Sequence, residues 1–308
     1  MSGLRLISLS RPARGVYARS MITTTELSAN GMTFTCRIAG DAGEPVALLH
    51  GFPETSHMWT DLMPRLAAAG YRCLAPDQRG YSAGARPDDV EDYSYRNLVS
   101  DVFALADAAG FDRFHLVGHD WGALVGWACV SVPEAARVAS WTALSVPHTQ
   151  AFARAVRDDP EEEPYRQILQ FLLTEGAPEA WAQNPALLKS VWSDSSEEQV
   201  DEYLRVLTEP GALRAAANWY RASRAHARSI EDPDAPFGEV TTPSLLIWGK
   251  DDSYVRRMSV DLAREYMRGP YRVVELDAGH WLAQQAPDRI ADEILAHLRA
   301  HAIEGLAR

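Results

Sequence analysis

The sequence predicts an α/β protein built on a mostly parallel, doubly wound β-sheet. Short apolar runs alternate with longer helical segments along most of the chain. Several of these runs are apolar at almost every position, as expected for parallel strands that helices cover on both faces. The chain has 308 residues, 46% of them hydrophobic, and can therefore bury a large core. We expect one large α/β domain with an insertion.

Seven segments have the length and composition of strands. They are residues 32–38, 46–49, 71–75, 114–117, 138–144, 244–248 and 271–276. The sequence between them predicts helices, for example over residues 98–109 and 290–301. Strands and helices that alternate in this way are typical of a doubly wound sheet.

The alternation stops between residues 147 and 240. Strand signals vanish there, and helical, acidic, tryptophan-containing sequence takes over. An insertion of this size would lie over the carboxyl ends of the strands, where open α/β sheets bind ligands. We therefore expect a core domain formed by residues 21–146 and 241–308, and a helical lid formed by residues 147–240.

Charge and cysteine content argue against several classes of protein. The formal net charge is −12 and no basic cluster offsets it, so nucleic-acid phosphates would be repelled. Cys36, Cys73 and Cys129 are too few and too scattered for a disulfide framework or a zinc site. No run reaches the ~18 apolar residues of a membrane span. We expect a cytoplasmic protein with no nucleic-acid or membrane partner, either a monomer or a homodimer.

The first 20 residues differ from the rest of the chain. They contain Arg5, Arg11, Arg14 and Arg19 and no acidic residue, which resembles an organelle-targeting segment. The interpretation that we favour is a disordered extension ahead of a natural start at Met21.

The most informative motif is Gly118-His119-Asp120-Trp121-Gly122, which follows the apolar run 114–117. The glycines indicate a sharp strand-to-helix turn, because a Cβ at either position would collide with neighbouring backbone. Such a turn lifts the Asp120 side chain clear of the sheet. A carboxylate suits attack on the saturated carbon of an epoxide or an alkyl halide, since attack on an ester would give a reactive mixed anhydride. The alternative is an ordinary turn in which Asp120 caps the helix.

Two later strands supply candidate partners for Asp120. Lys250-Asp251-Asp252 follows the sixth predicted strand, and Gly279-His280 follows the seventh. The neutral imidazole of His280 would draw a proton from water, while a carboxylate fixes its tautomer. We choose Asp252 for that carboxylate and keep Asp251 as the alternative.

The loop His50-Gly51-Phe52-Pro53-Glu54 follows the second predicted strand. The backbone N–H groups of Phe52 and Trp121 are the expected oxyanion hole, which acts when water attacks the ester of Asp120. The alternative is a simple turn. Because the nucleophile, the base and these donors all come from the protein, we expect no metal and no organic cofactor.

Together these motifs resemble those of the α/β-hydrolase-fold epoxide hydrolases. Matching segments occur in the family's order over roughly residues 30 to 290: His50 to Glu54 with Trp59, Asp77 to Ser82, Gly118 to Gly122, Asn218 to Arg221, Trp248-Gly249 with Asp252, and Gly279 to Trp281. The resemblance implies an α/β-hydrolase fold with the helical lid inserted after the sixth strand. It also implies conversion of an epoxide to a vicinal diol through an ester on Asp120, which water activated by His280 and Asp252 would hydrolyse.

The resemblance further implies two lid tyrosines that hydrogen-bond the epoxide oxygen and supply its proton. Tyr220 matches one of them. For the other, counting back from Glu175-Gly176 selects Ile168, whereas counting back from Gln170 selects Tyr165; the two lie one helical turn apart on one face.

The expected substrate is a small apolar or aromatic epoxide, because the lid and the turn are rich in aromatic residues. Pro53, Trp219 and Trp281 are the expected substrate contacts. Further candidates for the pocket are Trp121, Phe152, Phe171, Trp181 and Trp192.

Two other families and one other class of function stay open. Haloalkane dehalogenases share Asp120-Trp121-Gly122 but prefer an asparagine, which holds the departing halide, where Phe52 stands. Fluoroacetate dehalogenases place arginines just after the nucleophile, where this chain has Trp121 and Leu124. The third hypothesis is a ligand-binding protein that keeps the fold without turnover.

Overall fold

The computed structural model describes residues 22–223 and 237–305. The predicted N-terminal extension lies outside these residues. In the described part, eight strands form one sheet in the order β1-β2-β4-β3-β5-β6-β7-β8. The strands are β1 (Ile22–Ala29), β2 (Met32–Ala39), β3 (Glu44–Leu49), β4 (Tyr71–Pro76), β5 (Phe114–His119), β6 (Val138–Leu144), β7 (Ser244–Gly249) and β8 (Tyr271–Leu276).

All seven predicted strands are present, and β1 is an additional one that the sequence analysis missed. β1 is a threonine-rich, half-exposed edge strand, so it lacks the apolar run that marks the others. It pairs antiparallel with β2, and Asn30 and Gly31 form the turn between the two strands. Both turn residues have a positive φ, of 50° and 73°. Two such residues are the signature of a tight hairpin turn, a signal that could have revealed β1. With β1 counted, β6 is the sixth strand.

The strands β3 to β8 run parallel, and β2 is antiparallel to both of its neighbours. Every residue of β3, β5, β6 and β7 is buried. This burial confirms the interpretation of the continuous apolar runs as central strands covered on both faces.

Twelve α-helices are present in the described ranges. They are α1 (Met63–Ala68), α2 (Tyr95–Ala108), α3 (Trp121–Cys129), α4 (Thr149–Asp158), α5 (Glu163–Leu173), α6 (Ala177–Ala182), α7 (Pro185–Val191), α8 (Glu197–Leu207), α9 (Ala212–Ala222), α10 (Arg257–Ala263), α11 (Leu282–Gln285) and α12 (Pro287–Ala300). The helices predicted over 98–109 and 290–301 correspond to α2 and α12. The helices α4 to α9 follow β6 without an intervening strand. None of the twelve is long and apolar enough to cross a membrane.

The parallel strands bring five loops to one edge of the sheet. The carboxyl ends of β3, β5, β6, β7 and β8 lead into the loops or turns that carry Phe52, Asp120, Ser145, Asp252 and His280, in that order. This edge is where open α/β sheets bind ligands, so the fold itself concentrates the candidate site there.

Candidate active site

The turn between β5 and α3 holds Asp120 in a conformation that non-glycine residues rarely adopt. Its φ is 50° and its ψ is −117°. A Cβ on Gly118 would lie 2.4 Å from the carbonyl oxygen of Gly122, and one on Gly122 would lie 2.2 Å from that of Leu49. These contacts confirm the steric reason for both glycines.

The carboxylate of Asp120 faces the β3 loop on one side and His280 on the other. The backbone N–H of Phe52 donates to its Oδ1 at 2.8 Å, and its Oδ2 lies 3.5 Å from Nε2 of His280. Burial disfavours ionisation of Asp120, but the hydrogen bond to His280, the charge of His280 and the backbone N–H of Phe52 outweigh it and hold the pKa of Asp120 below its usual 3.8. Asp120 is therefore ionised at neutral pH.

His280 is paired with Asp252. Its Nδ1 lies 3.0 Å from Oδ2 and 3.2 Å from Oδ1 of Asp252, whose Oδ1 also accepts the backbone N–H groups of Tyr254 and Val255. Burial alone would lower the pKa of His280; the carboxylates of Asp252 and Asp120 reverse this and raise it to about 10. Asp252 is buried, whereas the alternative, Asp251, is exposed, and the structure brings only Asp252 to His280.

Ser145 is a site residue that the sequence analysis missed. It follows β6, is fully buried and has a φ of 69°. Its hydroxyl donates to Oδ2 of Asp252 at 2.7 Å, and its Oγ lies 3.0 Å from Nδ1 of His280. Because the hydroxyl hydrogen goes to the carboxylate, Oγ can accept from the imidazole N–H. Nothing in the local sequence marks this serine.

Glu54 and His119 form a second buried pair beside the site. Oε2 of Glu54 lies 3.2 Å from Nδ1 of His119, whose Nε2 lies 3.0 Å from the carbonyl oxygen of His280. Oε1 of Glu54 accepts from the Tyr203 hydroxyl at 3.1 Å and from the Gln284 amide at 2.5 Å. Glu54 therefore ties the β3 loop to α8 and α11, and through His119 to the His280 loop. Both residues belong to the sequence motifs, but no local pattern in the sequence predicts that they touch.

A narrow cavity of about 70 Å³ reaches Asp120; we call it the chamber. It is lined by Phe52, Pro53, Asp120, Tyr165, Ile168, Trp181, Val191, Tyr220, Tyr254, His280 and Trp281. Pro53 and Trp281, two of the three expected substrate contacts, are in this lining. Trp219 is not. Its indole N–H donates to the carbonyl oxygen of Arg79 at 2.8 Å and its ring packs behind Trp121 at 5.5 Å, which corrects the expectation for Trp219.

Tyr165 and Tyr220, the two candidate proton donors, both line the chamber. Tyr220 packs against Phe52 at 5.2 Å and Trp121 at 4.9 Å between ring centroids, and Ile168 lines the chamber together with Tyr165. Burial raises the pKa of both hydroxyls well above 10, and the nearby charge of Asp120 raises it further. Both tyrosines are therefore protonated at neutral pH and can donate hydrogen bonds.

The remaining aromatic candidates lie outside the lining, apart from Trp181. Phe152 packs against Tyr165, Trp192 against Tyr203, and Phe171 against Trp181. The ring of Trp121 lies behind Tyr220. The backbone N–H of Trp121 stays a predicted second donor of the oxyanion hole.

The fold and the chain order of Asp120, Asp252 and His280 are those of the α/β hydrolases. The sequence model described as "Alpha/beta hydrolase family" matches residues 46–293. The chain belongs to this family.

Comparison with known proteins narrows the family to one branch. Epoxide hydrolase A of Mycobacterium tuberculosis is 34% identical over an alignment that covers 88% of this chain and 96% of that protein. A solved epoxide hydrolase from metagenomes of hot environments is 27% identical with a TM-score of 0.78, over 90% of this chain and 98% of that one. Epoxide hydrolase A of Mycobacterium thermoresistibile is 26% identical with a TM-score of 0.72, over 92% and 100% of the two chains. The chain is a hydrolase of the epoxide hydrolase family, as the motifs predicted.

Proposed function

We propose that this protein converts epoxides to vicinal diols through a covalent ester on Asp120. The observation that carries the proposal is the position of Asp120 between two partners: Phe52 N–H on Oδ1 and the imidazole of His280 beside Oδ2. Oδ2 is the oxygen left to attack, and Oδ1 becomes the carbonyl oxygen of the ester.

Ring opening would use Asp120 together with the lid tyrosines. Oδ2 attacks an epoxide carbon, the carbon–oxygen bond breaks, and its electron pair goes to the epoxide oxygen. That oxygen takes a proton from the hydroxyl of Tyr220, with Tyr165 as the second donor. Proton donation of this kind typically contributes 10²–10⁴ to the rate.

Ester formation also prepares His280 to act as a base. Before reaction two carboxylates raise its pKa to about 10. Alkylation removes the charge of Asp120, so one of these two carboxylates no longer favours the imidazolium. The proton that His280 then releases restores the tyrosine hydroxyl, and a neutral imidazole results.

Hydrolysis of the ester would be the second half of the reaction. His280 takes a proton from water as the water oxygen attacks the ester carbon, and negative charge develops on Oδ1. The N–H of Phe52, and that of Trp121 as the second donor, would stabilise this charge. On collapse the bond between the carboxyl carbon and the original Oδ2 breaks. That oxygen takes the second proton of the water and leaves in the diol, and Asp120 keeps the oxygen from water as a carboxylate.

We also propose that residues 147–240 act as the lid and that residues 21–146 with 241–308 form the core. The support is the origin of the chamber lining. Tyr165, Ile168, Trp181, Val191 and Tyr220 come from the helices that follow β6. The reacting groups Asp120 and His280 come from the sheet edge.

The test is a single turnover of styrene oxide in ¹⁸O-water, with mass analysis of the peptide that carries Asp120. We expect one ¹⁸O in Asp120 and unlabelled oxygen in the diol of that first turnover. Diol with the label in the diol and none in Asp120 would refute the covalent step but not epoxide hydrolysis. Bromide release from a bromoalkane without any diol would indicate a dehalogenase. Binding without product from either would favour the non-catalytic hypothesis.

A further inference from the structure

The chamber is too small to hold a whole substrate of ordinary size. Its volume is about 70 Å³, whereas ligand pockets typically measure about 300–1,000 Å³. The reacting epoxide and a few carbons would occupy it, so the rest of a larger substrate would have to leave through an opening.

The lid marks one such opening with exposed apolar side chains. The described residues expose five large apolar side chains, and three of them lie on α5: Ile168, Phe171 and Leu173. Ile168 both lines the chamber and is 36% exposed, so it stands where the chamber meets solvent. Phe171 lies one helical turn further on the same face and is 38% exposed.

Aromatic contacts continue this apolar surface inward to the nucleophile. The ring of Phe171 meets that of Trp181 edge-on at 5.6 Å, and Trp181 meets Phe52 at 6.1 Å. Phe52 in turn donates its N–H to Asp120. We call the opening formed by Ile168, Phe171 and Trp181 the mouth.

The mouth offers no free cation on α5 that could bind an acid group. Arg166 is the one basic residue of this helix. Its guanidinium is bound by Glu163 and by the carbonyl oxygens of Val156, Asp159 and Pro160. A carboxylate that packs against the side chains of the mouth would lose part of its hydration and gain no ionic partner from this helix, which is costly.

We infer that the mouth binds the uncharged apolar tail of the substrate, so that the enzyme prefers epoxides that carry a neutral alkyl chain. This inference rests on the proposed function, and it adds the substrate class and the residues that select it. Each methylene that packs on Ile168, Phe171 and Trp181 leaves water, and it should improve binding about two- to fourfold.

The experiment measures kcat/KM for 1,2-epoxyalkanes from four to ten carbons with the wild type and with Phe171→Ser. The wild-type value should rise with chain length until the tail passes Phe171. In Phe171→Ser the rise over the longer chains should flatten, and the loss relative to wild type should be smallest for epoxybutane, which is too short to reach Phe171. Activity on epoxybutane also shows that the variant is folded.

Leu173→Ser is the matched control. Leu173 is 42% exposed on the same helix, but it lies about 140° around the helix from Ile168 and is absent from the chamber lining. It should keep the wild-type dependence on chain length. An equal loss of slope in Leu173→Ser and Phe171→Ser, or a flat series in the wild type, would overturn the inference.

A second pair of substrates tests the charge. Methyl 4,5-epoxypentanoate should react at least about tenfold better than 4,5-epoxypentanoate, whose carboxylate would lie within the mouth. Equal or better reaction of the anion would contradict a mouth for uncharged tails.

A binding measurement separates this inference from the proposed function. Titration with 1,2-alkanediols of increasing length, followed by tryptophan fluorescence, needs no turnover. Tighter binding with length that is lost in Phe171→Ser, without any epoxide hydrolysis, would sustain the mouth and refute the proposed function. Hydrolysis of epoxides together with binding that does not depend on diol length would refute the mouth and sustain the proposed function.

Discussion

Replacing Ser145 by alanine should slow hydrolysis of the ester on Asp120 while leaving its formation almost unchanged. The serine hydroxyl contacts both Asp252 and His280. Of Asp120, Asp252 and His280, ring opening uses only Asp120, as an ionised carboxylate, and its proton comes from the tyrosines. The base step needs the hydrogen of neutral His280 on Nδ1, where Asp252 and Oγ of Ser145 both accept it, so that Nε2 can take a proton from water.

The size of the effect follows from what remains after the substitution. A hydrogen bond to a charged group contributes about 1.5–3 kcal/mol. Asp252 would keep the N–H groups of Tyr254 and Val255 and its contact with His280. We therefore expect the lower end, about 1.5 kcal/mol, which slows ester hydrolysis about tenfold. Ring opening should change by less than about twofold.

The assay separates the two steps by stopped-flow tryptophan fluorescence and by mass analysis of quenched single turnovers. Two further variants make the result specific. Ser145→Gly also removes the hydroxyl but tolerates the positive φ of 69°, so equal slowing in both variants would assign the effect to the hydroxyl. Ser140→Ala removes a buried hydroxyl from β6, the strand that precedes Ser145. This hydroxyl contacts His115 at 2.8 Å, and its removal should leave both steps unchanged.

Three results would refute this reasoning about Ser145. The first is an equal decrease of ring opening and ester hydrolysis. The second is a change of less than about twofold in ester hydrolysis. The third is the same effect in Ser140→Ala, which would indicate a general loss of packing in β6.

The remaining predictions concern four other positions. Asp120→Asn should form no ester by mass spectrometry, and detectable alkylation of this variant at another residue would contradict the assignment. Tyr220→Phe should slow ring opening about 10²–10⁴-fold in the stopped-flow assay while ester hydrolysis is kept; an unchanged rate would remove it as proton donor. The pKa of His280 is raised to about 10 from an ordinary 6.5, so the protonated imidazole and its two carboxylates stabilise the folded state. This contribution is complete below pH 6.5 and is lost as the pH rises through about 10. The free energies of unfolding of wild type and His280→Gln, from urea denaturation, should therefore converge between pH 7 and 10, and a constant gap would count against the ion pairs. Gly51→Ala should cost about 1–3 kcal/mol in the same measurement, since the new Cβ would lie 2.5 Å from Cβ of Asp120; unchanged stability and activity would show that the loop can shift.

Much of the fold was predictable because its signals are local. Short apolar runs identified seven of the eight strands, and four of those strands are buried at every residue. The edge strand β1 was not predicted because one side of it faces solvent, so burial imposes little hydrophobic pattern on it. Its hairpin turn at Asn30-Gly31 was the better signal.

The sequence by itself determined the sharp strand-to-helix turn at Asp120 and the chain order of Asp120, Asp252 and His280. Glycines at 118 and 122 are required by contacts within the turn or with the adjacent strand end, and residues that follow parallel strands must meet at one edge of the sheet. Both constraints are written in short stretches of chain.

Only the tertiary structure decided which side chains touch. The contact of Ser145 with Asp252 and His280 spans 107 and 135 residues and depends on β6, β7 and β8 being neighbours in the sheet. Three further contacts depend on how the helices that follow β6 pack on the sheet. They are the link from Glu54 to Tyr203, the packing of Trp219 against Trp121, and the presence of both Tyr165 and Ile168 in the chamber. Such packing is set by the shapes of surfaces far apart in the chain, and no local pattern of residues records it.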